Sequence, residues 1–121
     1  MAEHNDTGKT GEQLAVEFLE KSGYEILEKN WRFKKFEIDI IAKKNKTLII
    51  AEVKTRHGNH FGEPEEWVTR AKQKNLIQGA QAYILQKDID FETQFDIISI
   101  VIASNGTHKI NHIQDAFYPT A

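Results

Sequence analysis

In EIDIIAKKNKTLIIAEVKT, residues 37–55, Asp39 interrupts one apolar run, and Glu52 and Lys54 interrupt the next. A buried charge is costly unless something compensates it. Side chains alternate across a strand, so Leu48, Ile50, Glu52 and Lys54 share one face of theirs, and Glu37, Asp39 and Ile41 share one face of the other. A hairpin turning at residues 43–46 sets Asp39 near the level of Glu52. Glu12 lies three before Ala15 and seven before Leu19, so it extends the buried stripe of a first helix. Lys72 and Gln73, four before Leu76 and Ile77, do the same for a second helix. Carboxylates that converge repel one another, and an ion offsets that repulsion. Oxygen ligands in a chain without cysteine suit Mg2+, or Mn2+ as its substitute. Such an ion activates water and polarises phosphate oxygens, while a neighbouring lysine stabilises developing charge. Asp39, Glu52 and Lys54 thus form a minimum set for metal-dependent phosphodiester hydrolysis, the two carboxylates holding the ion. The same residues also fit a plain Glu52–Lys54 ion pair with Asp39 on a solvated edge.

The elements that must position these groups can be read from caps and periodicity. Leu14, Ala15, Phe18 and Leu19 recur at helical spacing and Gly23 closes the run, so a helix is expected over Thr10–Ser22. Tyr24–Arg32, Phe36–Ala42 and Thr47–Thr55 read as strands, the last two joined by Lys43-Lys44-Asn45-Lys46. Arg56–Pro64 reads as a loop, and Glu65–Val68 as a short helical turn following Pro64. Thr69 caps a second helix that runs to Gln86. Phe95–Ala103 is nearly all apolar, a strand buried on both faces. Ser104–Thr107 is a hairpin turn and Lys109–Ala116 the returning strand. The order is α-β-β-β-α-β-β, an α/β fold.

One domain spanning residues 1–121 accounts for the length. The polar N-terminus has no apolar signal segment and no run can span a membrane, which with the lack of cysteine predicts a cytoplasmic protein with no membrane partner. The net charge of -2 hides an asymmetry. Residues 29–56 hold nine Lys/Arg against Glu37, Asp39 and Glu52, a net of +6, leaving -8 for the remainder. A basic segment on an acidic body attracts a polyanion locally; a solvated lysine-rich hairpin has the same composition.

The chain resembles the bacterial YraN family, small uncharacterised proteins with a restriction-endonuclease-like fold. The resemblance is carried by GKTGEQLAVEFLEKSGYEILEKNWR (8–32), EIDIIA (37–42), AEVKTR (51–56), FGEPEEWVTRAKQKNL (61–76), QFDIISI (94–100) and HIQDAF (112–117). That family is similar to the PD-(D/E)xK nucleases and to archaeal Holliday-junction resolvases. The resemblance implies a central mixed β-sheet flanked by helices, with Asp39, Glu52 and Lys54 as the motif residues and Glu12 completing a Mg2+ or Mn2+ site. It implies DNA, in structured or branched form, as partner, and by analogy with resolvases a homodimer. Arg32, Lys34, Lys35, Arg56, Lys72 and Gln73 are the expected nucleic-acid contacts. Ile38 stands where the motif's name has proline, and Phe36 where the family usually has glycine. His57 and His60 are expected to be exposed, Trp31 and Trp67 to pack in the core or at its rim, and Asp96 to be structural. Three functions are expected to compete: a metal-dependent nuclease, a non-catalytic nucleic-acid-binding or protein-interaction module on the same scaffold, and a purely structural domain.

Overall fold

The computed structural model of the chain describes residues 9–58 and 68–119. Its elements are α1 (Gly11–Lys21), β1 (Glu25–Phe33), β2 (Phe36–Lys44), β3 (Thr47–His57), α2 (Arg70–Lys87), β4 (Glu92–Ile102) and β5 (His108–Phe117). This is the expected order, with each boundary within a few residues of its sequence signal. Thr10 caps α1 through a reciprocal pair. Its Oγ1 accepts the Gln13 N–H at 3.1 Å, and Gln13 Oε1 accepts the Thr10 N–H at 2.8 Å. Gly23, at φ +92°, lets the chain leave the helix. Thr69 caps α2 by accepting the Lys72 N–H at 3.2 Å.

The five strands form one mixed sheet in the order β1-β2-β3-β4-β5. Neighbours are antiparallel except β3 and β4, which run parallel from Thr47↔Glu92 to His57↔Ile102. That long ladder carries β3 through Arg56 and His57, two residues expected to begin the loop. Residues 59–64 of that loop, His60 among them, and Trp67 with most of the expected helical turn lie outside the described residues.

The core falls into two clusters, one for each helix. Ile38, Ile41, Leu48, Ile50, Phe95 and Ile97 pack with Leu76, Ala80 and Tyr83 of α2. Ile40, Ala42, Ile49, Ala51, Ile98 and Ile100 pack with Leu14, Ala15 and Leu19 of α1. The helices therefore cover opposite faces. All of β4 from Phe95 to Ile100 is buried, as the uninterrupted apolar run predicts.

Asp96 is the charged member of that run, and it is structural. Its Oδ2 lies 2.7 Å from His112 Nε2, and its Oδ1 accepts the Gln94 amide at 3.0 Å and the Asp115 N–H at 2.9 Å. The last of these pins a bulge: β4 advances from Phe95 to Ile97 while β5 goes from Phe117 to Ile113, with Asp115 at φ +57°. Asp96→Ala strands all three donors, so it is expected to cost about 3–5 kcal/mol in urea unfolding, with Asp96→Asn costing less.

Candidate active site

The β2–β3 ladder ends at Ile40↔Ala51. Beyond that pair, the start of β2 stays with β1 through Trp31↔Ile38 and Phe33↔Phe36, while β3 continues with β4 through Glu52↔Ile97 and Lys54↔Ser99. The sheet forks there, and the next residues on the two sides are Asp39 and Glu52. Asp39 bridges the opening: its Oδ2 accepts the Val53 N–H at 2.9 Å, pairing a backbone donor that the lost ladder leaves free.

Glu52 lies on the α2 side with Leu48 and Ile50, only 4% exposed. Lys54 Nζ is 3.8 Å and Lys72 Nζ 3.9 Å from its Oε2. Its Oε1 is buried with no hydrogen-bond partner among the described residues. Its carboxyl is pushed up to about 7, first by burial and then by the Asp39 charge; Lys72 and Lys54 pull it down. Two carboxylates only accept, so no hydrogen bond joins them while both are charged. A proton on Glu52 permits one to Asp39, which holds that proton more firmly.

Glu12 approaches Asp39 from the α1 side. A cavity of about 390 Å3 is walled by Thr10, Glu12, Asn30, Asp39, Val53 and Thr55. The first turn of α1 sits directly on β3, since a Cβ on Gly11 would overlap Thr55 Oγ1. Burial raises the Glu12 carboxyl above the ordinary range, and the Asp39 charge raises it further; a hydrogen bond from Asn30 works against them and Glu37 adds to them. A larger cavity, about 650 Å3, runs along α2 beside Arg70, Lys74, Gln81 and Tyr118. Among the described residues no carboxylate lines it; the acidic groups gather at the fork.

Residues 11–100 match the model of the uncharacterised protein family UPF0102. The chain belongs to UPF0102. A UPF0102 protein of Flavobacterium psychrophilum is 52% identical over 118 residues, covering 98% of each chain. One from Bacteroides thetaiotaomicron is 50% identical over 119 residues, again covering 98% of both. UPF0102 is the YraN family that the sequence blocks resemble. The names of these relatives state no activity.

Of the residues expected to act together, Asp39, Glu52, Lys54 and Lys72 do meet. Glu12 reaches Asp39 but stands across the sheet from Glu52. Among the described residues no three His, Asp or Glu side chains are grouped so as to hold a metal ion. The expectation that Asp39 shares a face with Ile41 is corrected: Ile38 and Ile41 lie on the α2 side and Ile40 on the α1 side, so alternation breaks at Asp39. Gln73 is occupied at the start of α2, its amide donating to the Val68 carbonyl at 3.1 Å. Arg32 pairs with Glu37 at 2.9 Å on the surface. Lys34 and Lys35 form the β1–β2 turn, their amines 5.4 and 5.8 Å from the Phe33 and Phe36 ring centroids. Phe36, at the usual glycine position, is accommodated by Gly79 of α2, where a Cβ would come within 3.2 Å of it. Arg56 is half-buried two residues past Lys54, and His57 is exposed. Trp31 packs edge-on to Tyr83 at 5.4 Å, a core role. Sequence reasoning missed Asn30; its signal was an Asn inside a strand pattern.

Proposed function

We infer that this chain is a divalent-metal-dependent nuclease that hydrolyses phosphodiester bonds of DNA in branched or otherwise structured form. One observation carries the reading: Glu52 is buried beside a second carboxylate, and one of its oxygens has no donor among the described residues. A hard cation satisfies that oxygen and relieves the repulsion at once. The donors are all oxygens, which fits Mg2+ or Mn2+. Asp39 and Glu52 would hold the ion, with Glu12 as a further ligand from the α1 side. When bound, such an ion supplies a more acidic water and Lewis-acid polarisation of a phosphate oxygen.

The chain's own groups do the rest. Lys54 and Lys72 flank Glu52 Oε2 and present positive charge where a phosphate gains negative charge on the way to its transition state. Asp39 keeps the fork open by occupying the Val53 N–H. Lys34 and Lys35 at the adjacent hairpin tip, with Arg32 and Arg56, offer backbone contacts. A homodimer would present two such sites to paired strands. The cysteine-free composition suits a reducing cytoplasm.

A second reading, a module that binds nucleic acid without cutting it, is favoured by the separation of Glu12 from Glu52. Titrating the purified protein with Mn2+ separates the two. A nuclease site raises the melting temperature, by the equivalent of about 2.7 kcal/mol at a hundredfold excess over Kd, and plasmid DNA is nicked in the same buffer. Salt-sensitive DNA binding with neither response establishes the second reading and rejects the first.

A further inference from the structure

We propose that Asn30 is a positioning residue of this site: its left-handed backbone turns Asp39 into the fork, and its side-chain amide steadies Glu12 on the facing wall. The inference rests on the nuclease reading for its purpose, but its geometry stands independently. Asn30 lies inside β1 at φ +51°, a region that strand residues avoid and that Asn tolerates better than most. The pairs Lys29↔Ile40 and Trp31↔Ile38 bracket it, so Asn30 faces Asp39 across the β1–β2 ladder. That is where alternation fails on β2, with Ile38 packed against α2 and Ile40 against α1. A left-handed residue in one strand changes the local twist and re-aims the side chains opposite it. Here the re-aimed side chain is Asp39, which no longer stands on either face and instead reaches sideways to the Val53 N–H.

The side chain of Asn30 gives the second observation. It lines the same cavities as Glu12, one of them with Asp39, and its amide draws the Glu12 carboxyl down against burial and the Asp39 charge. One residue thus acts on both carboxylates of the α1-side wall, through its backbone on one and its amide on the other. An outlying backbone conformation held at a candidate site is the kind of strain that position-setting residues carry, and a neighbour that orients a ligand is expected to govern affinity as strongly as geometry does.

Two variants separate the two actions. Asn30→Gly keeps the left-handed backbone and removes the amide; it is expected to melt near wild type and to weaken the apparent Mn2+ affinity by about tenfold. Asn30→Val keeps no left-handed preference. It is expected to speed hydrogen exchange at the Val53 amide by about tenfold relative to Ala51, because Asp39 then leaves the fork. A Gly variant whose Mn2+ titration superposes on wild type overturns the role of the amide. Val53 exchange as slow in the Val variant as in wild type overturns the role of the backbone. Should the Val variant fail to fold, Asn30→Ala gives the same Val53 reading. A wild-type protein with no Mn2+ response rejects the nuclease reading instead, and the exchange arm, measured without metal, still decides this inference.

Discussion

Asp39→Ala is expected to lower Mg2+-dependent nicking of DNA on the order of a thousandfold or more, the largest loss of any single substitution in this chain. Among the described residues Asp39 is the only carboxylate placed to work with both Glu12 and Glu52, since its charge raises the carboxyl of each. Removing it takes away the charge common to both neighbours and also strands the Val53 N–H, which it accepts at 2.9 Å, a structural cost of about 1–3 kcal/mol. Asp39→Asn separates the two contributions. The amide oxygen can still accept the Val53 N–H, so stability should stay close to wild type while the charge is gone. An inactive Asn variant with unchanged urea unfolding assigns the lost activity to the carboxylate's charge. Nicking that survives in both variants rejects the catalytic assignment.

The second large effect is on stability, and it has the opposite sign. Glu52→Gln is expected to make the metal-free protein more stable than wild type at pH 8. The Glu52 carboxyl is raised to about 7 in the folded chain from an ordinary value of 4.5. A group whose proton is held more tightly in the folded state contributes stability that is complete below its unfolded value and is lost as pH climbs through the folded one. The window is therefore pH 4.5 to 7, and the loss across it is on the order of 3 kcal/mol. Glutamine carries no charge to desolvate, so the variant should show a flatter profile and a melting temperature several degrees higher at pH 8. Mn2+ should then reverse the order, raising wild type and leaving Glu52→Gln nearly unmoved. Equal melting temperatures for the two proteins at pH 8 without metal would remove the idea that Glu52 is held at a cost.

Much of this architecture was legible because its punctuation is local. Thr10 with Gln13, Thr69, Gly23 and the Asn105-Gly106 turn each act within a few residues, and each marks its boundary. The buried run of β4 announced a central strand. The break at Asp39 was not legible, because it originates in the residue across the ladder, and period-two counting along β2 has no means of registering Asn30. The same failure placed Asp39 on a face with Ile41. Glu12 was correctly placed on the inner side of α1, but a helical stripe does not say which face of the sheet it will cover, so its separation from Glu52 appeared only with the two core clusters. His112 and the Asp115 N–H, partners of Asp96, lie sixteen and nineteen residues further along the chain, beyond any local pattern.

The parallel pairing of β3 with β4 also fixes an order of events. The hairpin carrying Asp39 and Glu52 closes over a short turn and can form early, while Glu52 is still in water and its charge is inexpensive. Its second neighbour, Ile97, is made only after all of α2. Contacts so distant along the chain form late. During synthesis, then, the two acids can meet before they are enclosed, and their mutual repulsion grows only as the last strands settle over a frame already in place.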